Sequence, residues 1–339
     1  MKKFISLSLA LFLALSLILT GCGNSSSASS GGTSGSSSGS SSALPSATPT
    51  DIVLGTAGSS GTYYVVGAAM ANTINQHSNF LNVVAQTTNG SVENLNLCIS
   101  GDIQMGMSNA DGIYFASHGG NDYYKETQNI KGVMRLYESS GHMVTMADSG
   151  IKTYQDLVGK KVCLGPPSTT IVEMSKAILR AYGIDPEKDI TPVYFSISEG
   201  LDKLTDGVID ATFFVGAQPV SGLSSAAATH KLSFVEADPE VLKQVCEQDT
   251  YYEPTTIPDG TYPGMSGCDT LKIYTEIFAN GDVSDDAVYE FVKQALTNLS
   301  EYKDAHVSCQ EIDPSTAWQT AAPLHPGAEK YYKEIGVLK

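Results

Sequence analysis

From Asp51 onward, short apolar runs alternate with segments of helical period, and the alternation runs through the chain twice. The run Asp51-Ile52-Val53-Leu54-Gly55-Thr56 is brief, apolar and closed by a glycine, the pattern of a buried strand. After a polar loop, Val65, Val66, Ala69, Met70 and Ile74 recur at helical spacing. Leu81 to Thr87 again reads as a strand. Asn89-Gly90-Ser91 can start a helix carrying Val92, Leu95, Leu97 and Ile99, which stops at Gly101 before a third strand at Ile103–Ser108. A second set follows: a strand at Met143–Met146, a helix near Ile151–Leu157, a strand at Lys161–Leu164 and a helix with Ile171, Met174, Ile178 and Leu179. Val193–Phe195, a helix from Glu199 and Ala211–Val215 complete it, and from Ser284 the pattern is helical. Strands and helices alternating through short loops predict an α/β architecture with mainly parallel sheets. The repeat predicts two lobes: residues 51–140 with about 268–339, and residues 141–267, joined near Glu138–Gly141 and Met265–Thr270.

The chain before Asp51 has a different character. Lys2 and Lys3 precede a run from Phe4 to Leu19 that is almost wholly apolar or small, the form of a secretory signal and short for a membrane span. Leu19-Thr20-Gly21-Cys22 resembles a bacterial lipobox, which predicts removal of residues 1–21 and lipidation of Cys22. The Ser/Gly-rich segment after it has no apolar period and cannot fold alone. It reads as a tether over residues 22–50, with a mean reach of roughly 30 Å. Several acyl chains would hold such a protein at the outer face of the membrane.

A formal charge of −16, with only two arginines (Arg135 and Arg180), leaves no basic patch. That excludes nucleic acid and direct adhesion to anionic lipid. Cys98, Cys163, Cys246, Cys268 and Cys309 have no metal-ligand spacing. Cys246 and Cys268 could bridge, whereas Cys98 and Cys163 read as small apolar core residues.

Two polar loops stand where an open α/β sheet binds ligands, at the carboxyl end of a strand and the start of a helix. One is Gly58-Ser59-Ser60-Gly61-Thr62; the other is Gly165-Pro166-Pro167-Ser168-Thr169-Thr170. The first turn of a helix leaves backbone N–H groups without internal partners and adds partial positive charge. Such loops can hold a carboxylate or phosphate without Lys or Arg.

The segments GTAGSSGTYY (Gly55–Tyr64), TTNGSVENL (Thr87–Leu95) and IQMGMSNADG (Ile103–Gly112) make the chain similar to the solute-receptor subunit of the TAXI group of TRAP transporters. The likeness continues through RLY (Arg135–Tyr137), ADSGIKTYQDLVGKKV (Ala147–Val162), DGVIDATFFVGAQP (Asp206–Pro219), IPDGTYPG (Ile257–Gly264) and PLHPGAEKYYKEIG (Pro323–Gly336). This resemblance implies a type II periplasmic-binding-protein fold with a ligand cleft between its lobes. It implies a monomeric receptor that delivers a small carboxylate, such as an amino acid like glutamate, a dicarboxylate or a 2-oxoacid, to a membrane permease. It also implies a cleft lined by Ser59, Ser60, Gly61, Thr62 and Tyr63, by Ser91 and Asn109, and from the second lobe by Ser168, Thr169, Thr170 and Phe213 to Gly216. The loop Gly165–Thr170 has fewer glycines than the family's GAPGSGTE-like turn, and Met107-Ser108-Asn109 replaces a Gln-Ser-Asp-like turn, so ligand identity does not carry over.

Catalysis has little support in the sequence. GMSGC around Ser266 is not a nucleophile elbow, and no H-E-x-x-H, Walker loop or dinucleotide fingerprint occurs. The sequence therefore predicts no enzyme and no cofactor. A sensing subunit for a membrane signalling protein is the alternative role for the same fold. Arg135 reads as a structural ion-pair residue, Glu93 as a helix-start partner, and His142, His325 and Trp318 as structural.

Overall fold

The computed structural model describes residues 49–59, 61–166 and 169–339. The expected signal, Cys22 and the tether up to residue 48 lie outside the described residues, as do Ser60 and Ser168, and Thr50, expected at the tether's end, already belongs to the first strand. In chain order, β1 (Thr50–Gly55), α1 (Thr62–His77), β2 (Leu81–Gln86), α2 (Ser91–Ser100), β3 (Met105–Asn109) and α3 (Ala110–His118) lead into the long strand β4 (Ile130–Met146). Then come β5 (Lys161–Cys163), α4 (Ile171–Ala181), β6 (Thr191–Val193), α5 (Ile197–Thr205), β7 (Ala211–Gly216), α6 (Ser221–Thr229), β8 (Leu232–Phe234), α7 (Pro239–Gln248) and β9 (Glu253–Ile257). A second long strand, β10 (Cys268–Asn280), returns, and α8 (Asp285–Thr297), α9 (Leu299–Tyr302) and α10 (Pro326–Glu334) follow.

The strand order is β2-β1-β3-β10-β4-β7-β5-β6. β1 pairs in parallel with β2 and β3, and β5 pairs in parallel with β6 and β7. Parallel neighbours need a crossover, and the amphipathic segments after each strand supply it as helices. Between the two parallel groups run β4 and β10, antiparallel to each other over most of their length. The first half of β4 pairs only with β10, and from Ser140 onward it pairs with β7. Register shifts at Thr275/Glu276 and Ile277/Phe278 add twist where β10 leaves β3 for the second half of the molecule.

Each half has its own core. Ile52, Leu54, Met70, Met107, Phe291 and Tyr332 belong to the first, under α1, α8 and α10. Val162, Leu164, Ile178, Phe213 and Tyr252 belong to the second. The shared strands are narrow at their crossing. A Cβ on Gly141 of β4 would stand 2.9 Å from the Phe213 ring and 3.1 Å from the Met174 sulfur, so only glycine lets β7 and α4 close on β4.

Local structure departs from the sequence reading in instructive places. Met143–Met146 is the end of a 17-residue strand that also contains the junction read at Glu138–Gly141, and the 13-residue β10 takes in only the end, Cys268–Thr270, of the one read at Met265–Thr270. The helix expected near Ile151–Leu157 is one turn of 3-10 helix, Tyr154–Leu157, closed by a capping box from Thr153 to Asp156. All five of these cysteines are free, so Cys246 and Cys268 form no bridge. Cys98 and Cys163 are fully buried, as small apolar residues. Among the described residues no helix is long and apolar enough to cross a membrane.

Phe213 is 1% exposed on β7, at the centre of the second core. Phe213→Ala should lower the unfolding free energy by about 3–5 kcal/mol, measured by urea denaturation, because the surrounding strands can only partly fill the space.

Candidate functional site

The amino ends of six helices meet around one cavity of about 500 Å³. Gly61, Thr62 and Tyr63 bring the start of α1, Gly90 and Ser91 that of α2, and Asn109 that of α3. From the other half, Thr170 and Ile171 bring α4, Ile197 brings α5, and Val220 and Ser221 bring α6. Of these six, only α5 has a side-chain cap, Ser196 accepting from the Glu199 N–H. The other five reach the cavity with no side-chain hydrogen bond from the cap residue to their first-turn N–H groups. Gly90, at φ 100, turns the chain into α2 through a conformation that a side chain would strain.

Hydrogen bonds hold the first-half wall in place. The Tyr63 hydroxyl donates to Asn109 Oδ1 at 2.9 Å and lies 3.2 Å from Ser91 Oγ, which ties α1, α2 and β3 together. Burial pushes the Tyr63 hydroxyl up to about 12, so it stays protonated and keeps its donor role. Behind them Asn94, fully buried, donates to the carbonyls of Thr56 at 2.7 Å and Met107 at 2.8 Å, and accepts from Thr88 Oγ1 at 2.6 Å. Glu93 Oε2 accepts from the Asn89 N–H at 2.6 Å, the helix-start role expected of it. Among the described residues, the wall contains no Lys, Arg, Asp or Glu.

Polar contacts also join the halves beside the cavity. Asp111 on α3 is 1% exposed; its Oδ1 accepts from Thr170 Oγ1 at 2.7 Å and from the Gly112 N–H at 2.7 Å, and Tyr252 Oη donates to its Oδ2 at 3.4 Å. Tyr123 Oη donates to the Thr169 carbonyl at 3.4 Å. Burial raises the Asp111 carboxyl to about 6, and the hydrogen bonds from Thr170, Gly112 and Tyr252 oppose that rise.

Of the residues singled out in the sequence, Gly61, Thr62, Tyr63, Ser91, Asn109, Thr169, Thr170 and Gly216 all line this cavity. Two do not. Ser59 is exposed in the turn before α1 and lies outside the wall. Phe213 packs in the second core on the same face of β7 as Val215, and only the carboxyl end of the strand, at Val215 and Gly216, reaches the cavity. The sequence reading missed Tyr137 and Ser139 of β4, Ile197 and Val220 at helix starts, and His306 and Val307 near the chain's end. Tyr137 sits within RLY, so a signal was present there. Nothing local marks His306, whose Nδ1 accepts from the Ser308 N–H at 3.1 Å.

The remaining side chains have structural roles. Arg135 donates to Glu253 and to Gln319 at 2.8 Å each and lies 3.1 Å above the Tyr274 ring centroid, away from the cavity. His142 is fully buried; its Nδ1 donates to the Ser140 carbonyl and its Nε2 accepts from Tyr262 Oη, both at 2.7 Å. Desolvation lowers His142 to about 4, so it is neutral near pH 7. His325 caps α10. Trp318 packs against the first core and donates to the Ser315 carbonyl.

Two buried carboxyls set the pH dependence. Burial raises Glu276, 2% exposed on β10, to about 8, with the Ala321 N–H and the Arg135 charge opposing. A native carboxyl that holds its proton more tightly than the unfolded chain gives stability at low pH that is lost as pH rises through the native value. Melting temperature should therefore fall between about pH 6.5 and about pH 8 on account of Glu276; at lower pH the loss from Asp111 is opposed by His142, whose depressed native value adds stability as pH rises from about 4. In Glu276→Gln, which cannot ionise, the decline above about pH 6 should flatten; an unchanged slope in a calorimetric series would contradict the assignment.

A model of the NMT1-like family matches residues 54–336. Among solved structures, the periplasmic aliphatic sulphonate binding protein SsuA from Escherichia coli is 15% identical with a TM-score of 0.51, over 84% of this chain and 84% of that one. A protein from Xanthomonas citri bound to ATP is 11% identical with a TM-score of 0.52, over 85% of this chain and 96% of that one. A protein from Bordetella bronchiseptica is 12% identical with a TM-score of 0.50, over 85% of this chain and 81% of that one. The likeness is one of fold, the two-lobed type II periplasmic-binding-protein architecture.

Proposed function

This chain belongs to the NMT1-like family, and from that premise we propose that it is an extracytoplasmic solute receptor that captures a small carboxylate-bearing ligand by closure of its two lobes. The observation that carries the reading is the convergence of six helix amino ends, five without side-chain caps, on a cavity whose described wall holds no Lys, Arg, Asp or Glu. First-turn N–H groups supply donors and partial positive charge where a carboxylate needs both. The site comprises Gly61, Thr62, Tyr63, Ser91, Asn109, Thr169, Thr170 and Gly216, with Ser60 and Ser168 on the loops between. The lobes are residues 51–140 with about 268–339, and residues 141–267. In support, β4 changes partner at Ser140 and β10 begins at Cys268. Neighbours by fold include a sulphonate binding protein, so this architecture accommodates organic anions.

The protein binds rather than catalyses. It is exported, anchored through lipid on Cys22, and hands its ligand to a TRAP-type permease, a reading supported by the TAXI-like segments and by the signal-like start of the chain. Ligand bound only to the native state raises the melting temperature by RT ln(1 + [L]/Kd) in free energy. A panel of amino acids, dicarboxylates and 2-oxoacids should contain at least one such ligand; no shift with any member would contradict a carboxylate receptor. Asn109→Asp keeps the acceptor for Tyr63 but puts a negative charge in the wall. It should weaken carboxylate binding at least about a hundredfold by calorimetric titration, through like-charge repulsion in a desolvated site.

A further inference from the structure

The cavity is chemically two-sided, and one of its donors has no partner. On the first-lobe side stand Thr62, Tyr63, Asn89, Ser91, Asn109 and Ser139, all hydroxyls or amides. The second lobe contributes Ile171, Ile197, Val215, Pro219 and Val220, with Val307 and the imidazole of His306 also in the wall. The polar side chains of that lobe are mostly committed elsewhere: Thr170 Oγ1 donates to Asp111 at 2.7 Å and Thr169 Oγ1 donates to the Pro166 carbonyl at 2.9 Å. Ser221, the remaining hydroxyl among the described second-lobe residues of the wall, is exposed. Tyr137 of β4 lines the cavity while only 2% exposed, and its buried hydroxyl makes no hydrogen bond of normal geometry, although Thr275 beside it lowers its proton affinity. Desolvation holds that hydroxyl far above its ordinary range, so it is a neutral donor.

Resting on the receptor reading above, we infer that the ligand is an amphipathic monoanion: one carboxylate, no ammonium group, and a branched aliphatic or aromatic body. The carboxylate sits on the first-lobe wall and accepts from Tyr137 Oη, and the body packs on the aliphatic second-lobe wall. A second carboxylate would exchange its hydration for contact with aliphatic carbon, which is unfavourable without a partner. An apolar body gains by the same contact. An α-ammonium group would find no Asp or Glu among the described residues of the wall. An unsatisfied buried hydroxyl is costly, and a bound carboxylate removes that cost.

Calorimetric titration with five probes tests this: 4-methyl-2-oxopentanoate, phenylpyruvate, 2-oxoglutarate, succinate and leucine. The two apolar-bodied oxoacids should bind at least about tenfold more tightly than the other three, since a few buried carbons suffice for that ratio. If 2-oxoglutarate, succinate or leucine binds as tightly, the inference is wrong while the carboxylate receptor stands. If none of the five binds, and the wider panel of carboxylates is also silent, both fall together. Tyr137→Phe separates a ligand donor from a packing residue. Removing an unpartnered hydroxyl should leave the ligand-free melting temperature unchanged or higher, while affinity for 4-methyl-2-oxopentanoate falls roughly tenfold. Undiminished affinity in Tyr137→Phe would overturn the donor role. For the apolar wall, Ile197→Ala should weaken phenylpyruvate binding roughly tenfold, and equal affinity would overturn the placement of the body.

Discussion

A parallel strand can reach its neighbour only by a crossover, and here nearly every crossover is a helix packed back on the sheet. The carboxyl end of each strand therefore delivers the chain to the amino end of a helix, where backbone N–H groups lack partners in their own helix. In this protein the rule applies on both sides of the β4–β10 pair, so two sets of helix starts come to face one hollow. The positive end of the cleft is a consequence of topology, and arginine is not needed to make it. That accounts for a binding site in a chain of net charge −16 with only two arginines, neither of which lines the cavity.

The cleft depends on what is fixed behind it. Asn94 ties the loop after β1 to the end of β3, and Tyr63, Ser91 and Asn109 lock three helix starts to one another. Across the cavity, Asp111 and Thr170 connect α3 of the first lobe to the start of α4 in the second. The buried Asp111 carboxyl accepts from Thr170 and Tyr252 of the second half, so hydrogen bonds make the contact there. His142 extends the same logic from the back: it accepts from Tyr262, whose hydroxyl in turn accepts from the Val220 N–H at the start of α6. These buried polar residues set the positions of backbone donors.

Much of this could be read from the residues before any coordinates. Short apolar runs marked β1, β3, β5 and β7, and the amphipathic stretches marked α1, α2 and α4, because each element's pattern is local. The two polar loops were found from the same punctuation; of the twelve residues that the resemblance marked, eight line the cavity, two do not and two lie outside the described residues. The long strands were harder. Nothing in residues 130–146 signals that Gly141 is a crossing point inside a strand, since its reason lies in Phe213 and Met174 far along the chain. Phe213 was misplaced because the resemblance marked the whole segment, whereas only the carboxyl end of β7 reaches the cavity. His306, Val307 and Ile197 were invisible for a related reason: their place in the wall is a tertiary fact with no local signature.

The central claim is that backbone amides at the helix starts of the first lobe hold the carboxylate of a guest enclosed between the two lobes. A crystal structure of the protein purified with its natural ligand tests this most directly. The account predicts a carboxylate held by first-turn N–H groups of α1 and α2, within reach of Tyr137, between the two lobes. A ligand bound elsewhere, or one that presents no anionic group to those helix starts, would contradict it.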